Sequence, residues 1–200
     1  MKRTLLLICV LCFTLTANSQ DLVAENTGVV TSKRNADFKK DIKDYTRALE
    51  VNPKDASAYE KRAIAYAELK NYKEAIKDYT ATIRYNPANI DAVYNRGVAK
   101  MQVADYRGAM ADMSKVIKLK PQDFEAYNSR AICKMELNNL KGAIQDYNIV
   151  LQLNPEYNDA YYYRGLMKYE TKDDKGACED WSKIAETDSR ASKALKKYCK

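Results

Sequence analysis

Ala126-Tyr127-Asn128-Ser129-Arg130-Ala131 has a counterpart 34 residues away on either side. Upstream stands Ala92-Val93-Tyr94-Asn95-Arg96-Gly97, and before it Ala58-Tyr59-Glu60-Lys61-Arg62-Ala63. Downstream stands Ala160-Tyr161-Tyr162-Tyr163-Arg164-Gly165. The prolines of this 200-residue chain keep the same interval: Pro53, Pro87, Pro121 and Pro155. Blocks that place proline at position 32 are therefore 56–89, 90–123, 124–157 and 158–191. Their second halves align as well, with Ala75, Ala109, Ala143 and Ala177 at position 20, and Tyr79, Met113, Tyr147 and Trp181 at position 24.

Within each block the small and apolar residues fall at helical spacing in two segments of roughly 13 residues. The turns between them read Lys70-Asn71-Tyr72, Ala104-Asp105-Tyr106, Asn138-Asn139-Leu140 and Asp173-Asp174-Lys175. Small residues at positions 8 and 20 let two helices approach closely, while large ones at 4 and 24 fill the space between repeats. Asp55, Asn89 and Asp123 at position 34 are good N-caps for the next first helix. The prolines follow the ends of second helices, because a residue without an N–H cannot continue one. A lone helix pair cannot bury its own apolar face, so the pairs must stack. The expected fold is all-α.

The period, the small–large pattern and the proline resemble the tetratricopeptide repeat family. The likeness covers 56–191 without a gap, and implies a right-handed α-solenoid of stacked antiparallel helix pairs. Residues 36–55 add a half repeat holding a second helix only. Phe38, Ile42, Asp44, Tyr45, Ala48 and Pro53 stand 34 before Tyr72, Ile76, Asp78, Tyr79, Thr82 and Pro87. Gly28-Val29-Val30-Thr31 is a poor helix former, so 20–35 reads as a flexible leader. At the far end Ser189 replaces proline. Residues 192–200 read as a capping helix that covers the last apolar face with Ala194, Leu195 and Tyr198 and turns lysines to water. Lys175 to Trp181 resembles the closing repeat of small exported bacterial tetratricopeptide proteins.

Residues 1–19 carry the three-part order of a secretory signal. Met1-Lys2-Arg3 is basic, Leu5 to Leu15 is apolar, and Ala17 and Ser19 are small residues ahead of a cut before Gln20. The apolar run is too short to span a bilayer of about 30 Å. Export to a periplasmic or extracellular location in a bacterial envelope is expected. Removing Lys2 and Arg3 lowers the formal charge from +7 to +5. That charge is interleaved with acids, which argues against a nucleic-acid partner. Cys133, Cys178 and Cys199 remain. They allow one pair and one free thiol, with Cys178–Cys199 closing the shortest loop, or three buried reduced thiols.

The sequence holds no histidine, so histidine-based catalysis and metal binding are excluded. No carboxylate pair stands out as acid and base, and no thiol has an activating neighbour. Neither an enzyme, a metal nor a cofactor is expected. The most regular charges are Arg62/Asp78, Arg96/Asp112, Arg130/Asp146 and Arg164/Asp180, each 16 apart. A feature present in every repeat reads as scaffold, with ion pairs fixing the geometry of each helix pair.

The resemblance implies binding on a concave face lined by first helices, at positions 2, 5, 9 and 12. Here these include Glu60 and Ile64; Asp91, Tyr94, Val98 and Met101; Glu125, Asn128 and Met135; and Asp159, Tyr162 and Tyr169. Such a groove has an apolar floor with tyrosine and adaptable methionine, edged by acids. It suits another protein or peptide with apolar and basic residues. The competing reading makes the acids helix-terminal charges and the apolar positions ordinary packing. Co-chaperones of the family grip a C-terminal carboxylate, and the corresponding positions here are Glu60, Ile64, Asn95, Glu125 and Ser129. Only Asn95 fits, so a chaperone carboxylate is not the expected ligand. The function expected is a non-enzymatic protein–protein interaction scaffold. A self-associating structural protein is the alternative, followed by a glycan or small-ligand module.

Overall fold

The computed structural model describes residues 27–199, with side chains from Arg34 onward. The signal reading of 1–19 and the first part of the leader lie outside the described residues. Ten helices follow in order among the described residues. They are α1 (Thr27–Val51), α2 (Ala56–Glu68), α3 (Tyr72–Tyr85), α4 (Ile90–Gln102), α5 (Tyr106–Leu119), α6 (Phe124–Glu136), α7 (Leu140–Leu153), α8 (Asn158–Glu170), α9 (Asp174–Ile184) and α10 (Ser189–Tyr198). Each packs on its neighbours in sequence, giving an α-solenoid of four hairpins with, among the described residues, an unpaired helix at either end.

Local chemistry sets the boundaries. Asp55, Asn89 and Asp123 accept backbone N–H bonds at the starts of α2, α4 and α6. At α8 the same place holds Tyr157, which makes no side-chain cap. Asp105, Asn139 and Asp173 likewise accept from the N–H of Gly108, Gly142 and Gly176. A Cβ on any of these glycines would run into the capping side chain. The first repeat carries Glu74 there instead, and Asn71 makes no side-chain cap.

Each hairpin turns through a left-handed residue: Lys70, Ala104, Asn138 and Lys172, with φ of 60°, 60°, 59° and 72°. The next N–H then reaches back five residues to a carbonyl, Asn71 to Tyr66 at 2.8 Å and Asp173 to Lys168 at 2.9 Å. This is the Schellman closure, which satisfies carbonyls at the end of the first helix. The fourth turn therefore pivots on Lys172, one residue before the Asp173-Asp174-Lys175 read from sequence.

The core forms one apolar layer after another. Ala63, Ala75, Tyr79 and Ala92 make the first, and Val93, Met113, Val116, Ile117 and Ala126 the next. Ala143, Tyr147, Val150 and Ala160 belong to the third, and Ala177, Trp181, Ile184, Ala191 and Ala194 to the last. Position 8 matters most where its partner is rigid. A Cβ on Gly165 would come within 2.5 Å of Trp181 Nε1, which donates to the Tyr162 carbonyl at 3.2 Å.

Two boundaries move. Residues 27–35 are helical rather than a flexible leader, and α1 runs unbroken to Val51 instead of opening at 36. The poor propensity of Gly28 to Thr31 is outweighed by continuity with a helix already nucleated downstream. The capping helix starts at Ser189, not 192, because Asp188 accepts the Arg190 N–H and opens it there. The missing proline is thus replaced by a helix start.

Candidate functional site

The four Arg–Asp pairs form bidentate bridges of 2.5–3.0 Å. Each arginine also donates through Nη1 to the second helix of the preceding repeat, at Thr46, Thr80, Ser114 and Asn148. One guanidinium therefore ties three helices together. Lys100, Lys134 and Lys168 add a second cation to Asp112, Asp146 and Asp180 at 2.7, 2.7 and 2.9 Å. Their spacing of 34 is visible in the sequence, but only the arginines draw the eye there. In the first repeat Tyr66 takes that lysine's place, and Asp78 is left with Arg62 alone among the described ion pairs. The hydrogen bonds they donate to Asp78 and Asp146 hold Arg62 and Arg130 above the usual arginine range.

Cys178 and Cys199 are joined, with Cα atoms 5.9 Å apart, and pin the end of α10 to α9. Cys133 is a buried free thiol, and burial pushes its pKa up to about 12. It is not a nucleophile at neutral pH. Among the described residues no group of carboxylates and cysteines has the arrangement of a metal site. No described helix is long and apolar enough to cross a membrane.

The groove residues divide into an open set and a covered set. At the N-terminal half Ile64 is 41% exposed. It stands over a cavity of about 280 Å³ walled by Ala67, Glu68, Asn95, Val98 and Ala99. Glu60, half-buried, stands one turn before Ile64 on α2, and Asp91, Glu125 and Asn128 hold the corresponding groove positions of α4 and α6. Met101, by contrast, is 8% exposed and packs with Ala109 and Cys133, so it belongs to the core. Met135 packs against the third layer. Position 12 points between the hairpins, where methionine fills volume.

In the last repeat the groove residues are half-buried under the terminal helix. α10 stands where the first helix of a further repeat would stand. Its Arg190 bridges Asp159 and lies over the Tyr162 ring at 4.5 Å. Tyr169 sits against Tyr198 at 4.5 Å and Trp181 at 6.2 Å. Asp159, Tyr162 and Tyr169 thus meet the chain's own cap, not open groove. Their size, read from sequence as a sign of an external partner, is accounted for inside the molecule.

The open face is acidic. Burial pushes the Tyr79 hydroxyl up to about 12, and Glu60 and Glu68 add to the shift. Burial also raises Tyr94, where the Ser129 bond opposes the shift and Glu125 adds to it. Tyr157 is raised by burial, then by Asp159 and Glu125.

Models of the family match along this stretch. A TPR repeat model covers 65–103, one tetratricopeptide repeat model covers 44–77, and another covers 94–158 and 134–192. No curated protein matches the chain in sequence. Solved structures share the fold. YrrB, a TPR protein with an unusual peptide-binding site, is 22% identical with a TM-score of 0.74, over 92% of this chain and 97% of that one. MamA from Desulfovibrio magneticus RS-1 is 20% identical with a TM-score of 0.72, over 78% and 90%. The first TPR of Spaghetti (RPAP3), bound to the HSP90 peptide SRMEEVD, is 25% identical with a TM-score of 0.56, over 58% and 93%. From matched repeats running over 44–192 and a solenoid of the same build, the chain belongs to the tetratricopeptide repeat family.

Proposed function

We propose that the chain is a non-catalytic scaffold that holds a polypeptide segment on the open concave face of α2, α4 and α6. The observation that carries this is Ile64, an exposed aliphatic side chain above a largely apolar cavity lined by Glu68, with Glu60 one turn before Ile64 on α2. A surface isoleucine over a preformed apolar recess gains by being covered. The acids around it select a segment that is basic as well as apolar. Two structural neighbours bind peptides, YrrB at an unusual peptide-binding site and the first TPR of Spaghetti with an HSP90 peptide, which agrees with this use of the fold. A chaperone carboxylate does not suit the face, since Glu60 and Glu125 would repel it.

An exported setting in a bacterial envelope fits the basic–apolar–small order of residues 1–19. The Cys178–Cys199 pair also belongs in an oxidising compartment. A second reading, self-association, has one observation in its favour. Val51, Tyr85, Leu119 and Leu153 are exposed at the same repeat position and form an apolar row along the ends of α1, α3, α5 and α7.

A photoreactive side chain placed at position 64 tests the groove in cells. The proposal expects a polypeptide to be crosslinked there, and Ile64→Asp to abolish crosslinking from a neighbouring probe at position 68 while the helical CD signal stays intact. Crosslinks unchanged by Ile64→Asp would remove the groove reading. Crosslinks only to a second copy, with sedimentation that depends on concentration, would favour self-association.

A further inference from the structure

The position-2 acids Asp91, Glu125 and Asp159 stand at equivalent places on α4, α6 and α8. The outer two have cations from this chain: Lys120 reaches Asp91 at 2.9 Å, and Arg190 bridges Asp159. Glu125, exposed, has no ion pair among the described residues.

The last of these sites shows what such a place holds. Arg190 meets Asp159 and stacks over Tyr162, three residues further along the same helix. The pair Asp91 and Tyr94 repeats that spacing two repeats earlier. Arg190 is the second residue after its cap Asp188, and Glu125 is the second after its cap Asp123. Where the cap supplies a guanidinium to the Tyr162 site, α6 therefore supplies a carboxylate to the Tyr94 site. Tyr94 hydrogen-bonds Ser129, one turn beyond Glu125 on α6, and Glu125 adds to the upward shift that burial gives both Tyr94 and Tyr157. Asn128 donates to the Tyr157 hydroxyl at 3.4 Å and closes the far side.

From this internal precedent we propose that Asp91, Tyr94 and Glu125 form a seat for an arginine side chain of the bound segment. A guanidinium there meets an aromatic face and two carboxylates, the combination that favours arginine over lysine. Lys120 holds Asp91 only as an exposed ion pair, which a bidentate guanidinium displaces at little cost. The third repeat lacks the aromatic at position 5, and the first lacks the acid at position 2, so the seat occurs once on the open face.

The inference rests on the groove reading and names one contact within it. The test uses the isotope-labelled protein and the synthetic peptide Ac-Ala-Leu-Arg-Leu-Ala-amide, with lysine and citrulline versions, followed by amide chemical shifts. The arginine peptide is expected to move residues 91–95 and 124–128 and to bind about ten-fold more tightly than the citrulline version, the ratio that a stacked, paired cation gives. Glu125→Gln, at an exposed position, should remove most of that preference. Tyr94→Phe should keep it and Tyr94→Leu lose it, with melting curves confirming that each variant is folded. Equal binding of the three peptides, with shifts confined to the surroundings of Ile64 and Val98, would overturn the arginine seat and leave the groove standing. No shift at either place would overturn both.

Discussion

The two ends of the solenoid are built differently. At the C-terminal end α10 lies over the last hairpin, the Cys178–Cys199 bond fastens it, and Arg190 links Asp188 to Asp159. Beneath it Trp181 is wholly buried, and Asp180 serves two cations. At the N-terminal end α1 packs on α2, and among the described residues no first helix pairs with it. There Val51 is 88% exposed, Asn71 caps nothing through its side chain, and Asp78 has one cation. In a quasi-one-dimensional fold the end that is finished contributes stability, and the end left less finished keeps surface for a partner.

The largest effect should come from the ion-pair ladder. Asp180→Ala strands Arg164 and Lys168 in a buried setting and should cost about 3–5 kcal/mol in urea unfolding. Asp78→Ala strands only Arg62, so its loss should be clearly smaller; equal losses would break the comparison. Removing the staple by Cys199→Ser should cost about 3 kcal/mol, from a loop that the bond closes over 21 residues. Trp181 is the chain's single tryptophan, and its emission should shift to the red as α10 loosens. Amide protection in α2 and α3 should not change, because the loss passes only to neighbouring helices. Acid should loosen the same cap. Burial pushes Asp188 up, but bonds from the Arg190 side chain and backbone prevail and hold it below its ordinary 3.8. A depressed carboxylate stabilises above its unfolded pKa and loses that contribution as pH falls through the folded value.

Position 8 sharpens the contrast at a lower energy. Gly165→Ala pushes a methyl into Trp181, which its own hydrogen bond holds still, and should cost about 1–3 kcal/mol. Gly97→Ala meets the terminal methyl of Met113, which can turn aside, so its thermal shift should be smaller. Similar shifts would mean that Trp181 is no more fixed than Met113.

The architecture was legible because every repeat states it again. A period of 34 with caps at 55, 89 and 123 leaves one way to fold the middle of the chain. The ends were harder to read, since a single helix carries no repeat to average over: α1 ran through a weak stretch, and α10 began before the block had ended. The site was half legible. The pattern finds Ile64, Glu60 and the acids of position 2, which look outward. It cannot tell that Tyr162 and Tyr169 are covered, because their partner, α10, lies outside the repeat. Met101 was read as groove for a related reason: the repeat position says nothing of its packing on Ala109 and on Cys133 of the next repeat.

The smallest effect is the cleanest control. Lys70 and Lys172 occupy the same turn position, both left-handed, at φ of 60° and 72°. Each should gain roughly 0.5–1 kcal/mol on replacement by glycine, since the cost of a Cβ in that region exceeds the entropy glycine adds to the unfolded chain. The local gain is the same at both places, so any difference in how it appears reports on the ends themselves. If the first hairpin opens independently of the rest, Lys70→Gly will raise amide protection in α2 and α3 and leave the global midpoint where it was. Lys172→Gly, in the hairpin under the cap, will raise both. Two substitutions that move the midpoint equally would show one cooperative unit from α1 to α10, and the looser N-terminal end would then owe its open groove to shape alone.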